Sequence, residues 1–223
     1  DHLGLLDKVL PDVPIYMGRD ARGIYSAQCA YAGASPRGGI RTFGPDERFS
    51  VGDIRIAPVL CDHSAFDSYM FILENEGQKA LYTGDFRANG RKSFDRLLSR
   101  LPEVDLLITE GTTLSGSHSL CRTEQELENE AVSLIDEAGD APVFLWQAAT
   151  NIDRLVTMFR AAKRTGRLFL EDAYTASIAA AIEGSAIPNP RFRGVRVFTP
   201  GGSEKDYGLL QRFGPSKISR AAL

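Results

Sequence analysis

The pattern of apolar and polar residues divides the chain into two halves of different texture. The first half is typical of strands separated by turns, and the second half of helices that alternate with strands. In the first half, apolar and polar residues alternate over 48–59 around a Gly-Asp pair that is typical of hairpin turns. The runs 69–73 and 79–83, joined by a polar segment, predict a second hairpin, and the apolar run 105–109 predicts a buried strand.

In the second half, apolar residues recur at helical spacing. Residues 127–138 carry a stripe of leucine, isoleucine and alanine that stops before Gly139 and predicts an amphipathic helix. The run 142–147 predicts a buried strand, and Asn151 is placed to cap the next helix. Further predicted elements are strands at 167–170 and 195–198, helices at 174–182 and 205–213, and a surface loop at 188–194. This alternation predicts a parallel sheet covered by helices, so we expect an α/β fold.

Composition indicates a globular protein and excludes several other classes. Hydrophobic residues make up 43% of the 223 residues and charged residues 25%, which rules out a disordered or collagen-like chain. No apolar run reaches the ~18 residues of a membrane span, and the polar first residues are unlike a signal peptide. The formal net charge of -3 argues against a protein that coats polyanions non-specifically, but it is compatible with a local basic groove. The three cysteines form neither a disulfide framework nor a CxxC knuckle, so we expect a reducing, cytoplasmic location.

Three residues with catalytic or metal-binding chemistry follow predicted strands. His63 comes after the first hairpin, Asp85 after the second hairpin, and Glu110 after the run 105–109. Strand ends deliver side chains to one rim of a sheet, which is where active sites commonly lie. Imidazole and carboxylate groups bind Zn²⁺ and similar divalent cations at about 2.0–2.2 Å. The placement of these residue types therefore indicates a metal site.

Taken singly, each of these residues also has an ordinary structural explanation, such as polar surface, a turn or a helix cap. The combination is more informative, because two of the three histidines in the chain, His2 and His63, lie beside carboxylates. The third, His118, lies in a Ser/Gly loop and is interpreted as exposed and non-ligating. Cys61 lacks cysteine partners and is interpreted as a small core residue.

These motifs together resemble those of metallo-β-lactamase-fold hydrolases, in particular the β-CASP nuclease branch that includes ribonuclease J. The sequence DHLG at 1–4 resembles the second half of the H-x-H-x-D-H motif, and DHS at 62–64 resembles the next histidine motif. The stretch LYTGDFR at 81–87 resembles the bridging-aspartate motif of the nucleases. Glu110 resembles the acidic residue that opens the β-CASP insertion, and the second half of the chain is similar to that insertion.

The resemblance implies a metallo-β-lactamase-type αββα sandwich over 1–121, followed by a βαβ parallel-sheet β-CASP domain over 122–223. Both domains would be incomplete, because the first two histidines of the family's motif would precede Asp1 and its later histidines would follow Leu223. We therefore expect the chain to correspond to the central part of such a protein. Its metal affinity would then be weak or lost, since a metal site needs its full set of ligands.

The resemblance also implies a role for each candidate residue. Asp1 and His2 would bind the second metal ion, His63 would bind the first, and Asp85 would bridge the two. Asp1, Asp85 and Glu110 would be the catalytic residues, with Glu110 supporting a ligand or a proton transfer by hydrogen bonding. The cofactor would be two divalent cations, expected to be Zn²⁺, which activate a hydroxide for attack on phosphorus.

The implied function is that of a metal-dependent ribonuclease that cleaves single-stranded RNA, with DNA as a second substrate class. Arg87, Arg91 and Lys92 could contact phosphates, although a solvated loop is the favoured interpretation. Two alternatives stay open: a hydrolase of a thioester or lactone on the same scaffold, and a non-catalytic fragment or scaffold member. We expect no membrane partner, and a homo-oligomer also stays open.

Overall fold

The computed structural model has a mixed α/β architecture that divides into two compact units. It describes residues 3, 6–8, 12–112, 121–182, 186–198 and 217–218. The first unit comprises residues 1–22 and 37–123, and the second comprises 23–36 and 124–223. The second unit therefore includes a segment from the first half of the sequence, which the hydrophobic pattern does not indicate. No helix in the described part of the chain has the length and hydrophobicity that a membrane crossing requires.

The described part of the first unit consists mainly of strands. They are β1 (Ile15–Gly18), β2 (Ile40–Phe43), β3 (Phe49–Val51), β4 (Ile54–Leu60), β5 (Tyr69–Asn75), β6 (Gln78–Tyr82) and β7 (Leu106–Ile108). Its helical segments are a 3-10 turn (Leu6–Lys8), the start of α1 (Arg19–Ala32) and α2 (Phe94–Leu98). Strands β1 and β2 pair in parallel, and the other five form a sheet in the order β3-β4-β5-β6-β7.

Both predicted hairpins are confirmed, and their turns explain the strand pairing. The β3–β4 turn contains Gly52 with a φ of 57°, and the β5–β6 turn contains Glu76 and Gly77 with φ values of 50° and 82°. A two-residue turn matches the natural twist of paired strands when its first residue is left-handed, as in β3–β4, or when both residues are, as in β5–β6. The hairpins therefore follow from local turn chemistry.

The core of the first unit joins β4, β5 and β6 to α2. The buried residues of this cluster are Val59, Cys61, Met70, Leu81 and Leu97. The interpretation of Cys61 as a core residue is thus confirmed. Burial raises the pKa of its thiol to about 11, so the thiol stays protonated and unreactive at neutral pH.

The second unit contains a parallel sheet with helices, as predicted. Its elements are α3 (Glu124–Glu137), α4 (Ile152–Arg164), β8 (Phe169–Asp172), α5 (Ala173–Ala180), β9 (Val195–Phe198) and β10 (Lys217–Ile218). The strands pair in parallel in the order β10-β9-β8. Asn151 caps α4 as expected, because its side chain accepts a hydrogen bond of 3.2 Å from the Arg154 amide. The predicted helix 205–213 lies outside the described residues.

Two apolar runs that were predicted to be buried strands are exposed. Residues 142–147 form no strand, and the exposed fractions of Phe144 and Trp146 are 92% and 102%. The run 105–109 contains β7, but Leu106 and Leu107 are 55% and 56% exposed. In the described part of the chain β7 pairs only with β6, at the edge of the sheet. An apolar run tends to be buried, but whether another element covers it depends on residues that are distant in the sequence.

Helix α3 lies where it was predicted, and its predicted apolar stripe is partly buried except at Leu134, but its two fully buried residues lie outside that stripe. Leu134 of the predicted apolar stripe is 56% exposed, whereas Glu124 and Glu128 are buried. Both glutamates form ion pairs with arginines of α4, which a hydrophobic pattern cannot reveal. The predicted surface loop 188–194 is also wrong in part, because Pro188 and Pro190 are fully buried.

Candidate active site

The three candidate residues follow strands that end at one edge of the five-stranded sheet. Strands β4 and β6 each pair antiparallel with β5, and β7 pairs parallel with β6. The three strands therefore run in the same direction, and their carboxyl ends meet at one edge. His63, Asp85 and Glu110 lie two or three residues beyond the ends of β4, β6 and β7, respectively.

Backbone hydrogen bonds tie the segments after these strands to one another. The amide of Arg87 donates to the carbonyl of Asp62 with an N–O distance of 2.8 Å. The amide of Thr83 donates to the carbonyl of Ile108 at 3.0 Å, which extends the β6–β7 pairing beyond the strand ends. Because Asp62 precedes His63 and Arg87 follows Asp85 by two residues, the loops that carry His63 and Asp85 are in contact.

Glu110 is held against the Asp85 loop as a hydrogen-bond acceptor. Its Oε1 accepts from the amide of Phe86 at 2.8 Å, and its Oε2 accepts from the hydroxyl of Thr112. The Thr112 hydroxyl lowers the pKa of Glu110, and the Phe86 amide and the charge of nearby His63 act in the same direction. The carboxylate is therefore ionised at neutral pH, which suits it to orient a neighbour rather than to donate a proton.

Asp62 is a buried carboxylate for which the sequence predicts no separate role. Its side chain is 2% exposed, with Oδ2 3.4 Å from Nε of Arg87 and Oδ1 3.8 Å from Nζ of Lys92. Gly90 lies directly against it, and a methyl group at Gly90 would overlap the carboxylate. Two cations compensate the cost of burying this charge. Asp62 therefore joins the His63 loop to the segment 87–92 that follows Asp85. The only feature of the sequence that pointed to Asp62 was its position next to His63.

This pairing changes the interpretation of the basic segment after Asp85. The side chains of Arg87 and Lys92 are only 19% and 27% exposed. Lys92 Nζ also lies 5.6 Å from the ring centroid of Phe66. The solvated-loop interpretation is therefore wrong for Arg87 and Lys92, because both charges face the buried Asp62 carboxylate. Arg91 is partly buried as well.

The loop that carries His63 is anchored near its end by Asp67. This residue has a φ of 62°, and its carboxylate accepts from the Tyr69 hydroxyl at 2.5 Å and from the Ala21 amide at 3.0 Å. Burial, together with this hydrogen bond, raises the pKa of Tyr69 above its usual range, so Tyr69 remains the donor. The loop is thus fixed against the start of α1.

The metal-ligating side chains at this edge suit a divalent cation, but the described residues do not complete a ligand set. His63 offers an imidazole and Asp85 a carboxylate, both of which bind Zn²⁺ in proteins. Within the described ranges, no group of three or more His, Cys, Asp or Glu residues is placed to hold a metal ion. The other expected ligands, Asp1 and His2, lie outside the described residues, as does His118.

Comparisons with other proteins bear on the fold alone. Neither a protein-family model nor a curated protein matches the chain. The structure is similar to the crystal structure of a protein of unknown function from Enterococcus faecalis V583, with a TM-score of 0.73 and 18% sequence identity. The similarity covers 95% of this chain and 50% of that protein, so the chain spans about half of its length. At this level of identity, the likeness shows a shared mixed α/β fold.

Proposed function

We propose that the protein is a metal-dependent nuclease of the β-CASP branch of the metallo-β-lactamase fold, acting on single-stranded RNA. The observation that carries the proposal is the meeting of the loops that bear His63, Asp85 and Glu110 at one edge of the sheet. The motifs around these residues resemble the metal-binding motifs of that branch. Under this proposal, residues 1–121 and 122–223 correspond to parts of the metallo-β-lactamase and β-CASP domains.

In the proposed site, His63 and Asp85 would hold divalent cations together with Asp1 and His2. When bound, such cations lower the pKa of a water molecule and neutralise charge that develops on a phosphate. Glu110 holds the amide of Phe86 and thereby fixes the backbone next to Asp85. Its ionised carboxylate is an acceptor, so Glu110 is a positioning residue in this scheme.

The choice of a phosphodiester substrate is supported by the second unit. Hydrolases of this fold that act on thioesters or lactones usually lack a long βαβ insertion. Here the strands β8, β9 and β10 form a parallel sheet accompanied by helices, as such an insertion would. A substrate panel of RNA, DNA and a thioester separates these classes, and cleavage of the thioester alone would contradict the proposal.

The direct test uses the full-length protein and compares the wild type with Asp85→Ala and Asp53→Ala. Asp53 lies in the exposed turn between β3 and β4, so its loss controls for the removal of a surface carboxylate. We expect Asp85→Ala to bind less Zn²⁺ in a calorimetric titration. We also expect Asp85→Ala to cleave single-stranded RNA more than about 100-fold more slowly. Loss of a group that only supports a metal ligand costs up to about 100-fold, and loss of a ligand itself should cost more. Asp53→Ala should match the wild type, and unchanged turnover by Asp85→Ala would remove Asp85 from the mechanism.

A further inference from the structure

We propose that the second unit contains a phosphate-binding pocket between α3 and α4 that takes a nucleotide unit of the RNA strand. A cavity of about 480 Å³ lies there, bordered also by Ala186 and Pro188. This volume is within the range of small-molecule sites, which is roughly 300–1,000 Å³. The pocket rests on the proposed function only for the choice of RNA as the source of the phosphate.

The charge of the pocket favours an anion. Its lining contains Arg160, Lys163 and Arg164, and Glu128 as the one carboxylate among the lining residues that the structure describes. Residues three and four positions apart lie on the same side of a helix, so α4 gathers the three cations on one face. Glu128 balances one of these charges, and the lining keeps an excess of two positive charges.

Glu128 holds two of the guanidinium groups in place. Its Oε1 lies 3.2 Å from Nη1 of Arg164, and its Oε2 lies 3.7 Å from Nη1 of Arg160. The glutamate side chain is 6% exposed, whereas the arginine side chains are 45% and 53% exposed. A guanidinium has five N–H donors, so each arginine keeps donors for a second anion. Groups that are already oriented lose less entropy when they bind phosphate.

The remaining wall of the pocket favours a nucleotide over an inorganic anion. Val156 supplies partly exposed apolar surface beside the cations, and Phe159 also lines the pocket, although it is only 9% exposed. The ring of Phe159 is held edge-to-face by Phe169 and Phe192, with centroid distances of 6.1 and 6.0 Å. Apolar surface next to a phosphate site suits the sugar or the edge of the base of a nucleotide. Inorganic phosphate would use the cations alone.

The test measures binding of a fluorescently labelled short oligouridylate by anisotropy, with a chelator present and in the Asp85→Ala background. Lys163→Gln is the test variant, because Lys163 is exposed and its loss leaves the ion pairs of Glu128 intact. Arg55→Gln is the control, since it removes an exposed cation of the first unit. We expect Lys163→Gln to weaken binding about two- to fivefold. The slope of log K against log salt should fall by about 0.7, the value for one phosphate contact with a single strand. The control should change neither quantity.

Competition distinguishes the sources of the phosphate. AMP should displace the oligouridylate from the pocket at a lower concentration than inorganic phosphate does, because only AMP also uses the apolar wall. Displacement by both at equal concentrations would overturn the assignment of a nucleotide unit. A Lys163→Gln protein with the affinity and salt slope of its parent would overturn the pocket itself. Since the assay needs neither metal nor turnover, its result is independent of the cleavage test of the proposed function.

Discussion

Buried carboxylates serve different purposes in the two units. In the first unit, Asp62 faces Arg87 and Lys92 across two connecting loops, directly beside the candidate ligand His63. In the second unit, Glu124 of α3 accepts hydrogen bonds from the guanidinium of Arg154 on α4 at 3.2 and 3.3 Å. The first arrangement fixes the loops of a candidate site, whereas the second joins two helices. The role of a buried ion pair is therefore set by the elements that it connects.

Glu171 on β8 is a third and contrasting case. It is 2% exposed, and its carboxylate oxygens have no hydrogen-bond partner in the described part of the chain. It shares a face of the strand with Phe169, whose ring packs edge-to-face against Phe159 of α4. Burial, with a smaller contribution from the charge of Asp172, raises the pKa of Glu171 to about 8. Glu171 is therefore largely protonated at neutral pH.

Replacing the paired carboxylates gives the largest expected effects. Asp62→Asn and Glu124→Gln each remove a buried charge that partly exposed cations face, so each should lower the free energy of unfolding by about 2–3 kcal/mol. Urea denaturation measures this loss. Only Asp62→Asn should also reduce RNA cleavage and Zn²⁺ binding under conditions where the protein is folded. Equal loss of cleavage in Glu124→Gln would remove the distinction between the two regions.

Removing the titratable carboxyl of Glu171 should change how stability depends on pH. Since its folded-state pKa is raised from the ordinary 4.5 to about 8, the folded protein keeps a proton that the unfolded chain releases. Stability is fully present below about pH 4.5 and falls as pH rises towards 8, by at most about 1.4 kcal/mol per pH unit. Glu171→Gln should abolish this fall, whereas the exposed Glu137→Gln should keep it. A wild-type melting temperature that is flat across this range would contradict the burial of an unpaired carboxyl.

Crowding the Asp62 carboxylate should have an intermediate effect. A methyl group at Gly90 would overlap that carboxylate, whereas nothing lies within 4 Å of one at Gly38. We expect Gly90→Ala to cost about 1–3 kcal/mol of stability and to weaken Zn²⁺ binding. Gly38→Ala should be close to neutral in both measurements. Equal stability and equal Zn²⁺ binding of the two variants would show that the close approach of Gly90 to the Asp62 carboxylate is not required.

The smallest expected effect concerns Trp146, the one tryptophan of the chain. Because it is fully exposed, Trp146→Phe should change stability by less than about 0.5 kcal/mol. The fluorescence of Trp146 in the folded protein should resemble that of free tryptophan and be quenched readily by acrylamide. A blue-shifted, protected emission would show that another surface covers the run 142–147.

Features set by local chemistry could be predicted from the sequence. The two hairpins follow from left-handed turn residues, and the start of α4 follows from the Asn151 cap. The strand ends that precede His63, Asp85 and Glu110 were also recognisable. That they meet at one edge depends in addition on the pairing of β4 with β5 and the parallel pairing of β7 with β6, which lie outside the two predicted hairpins.

Features that depend on distant partners could not be predicted. The sequence shows that 142–147 and 105–109 are apolar, but not whether another element covers them. Likewise, the apolar stripe on α3 does not indicate that Glu124 and Glu128 are buried too, because their arginine partners lie about thirty residues away in sequence. Asp62 was missed for the same reason, since its partners Arg87 and Lys92 belong to another loop.

Anomalous X-ray diffraction from crystals of the full-length protein grown with Zn²⁺ tests most directly whether His63 and Asp85 bind the same metal centre. We expect zinc peaks at about 2.0–2.2 Å from an imidazole nitrogen of His63 and from a carboxylate oxygen of Asp85. Ordered His63 and Asp85 side chains with no zinc peak between them, in protein that cleaves RNA, would contradict the proposed site.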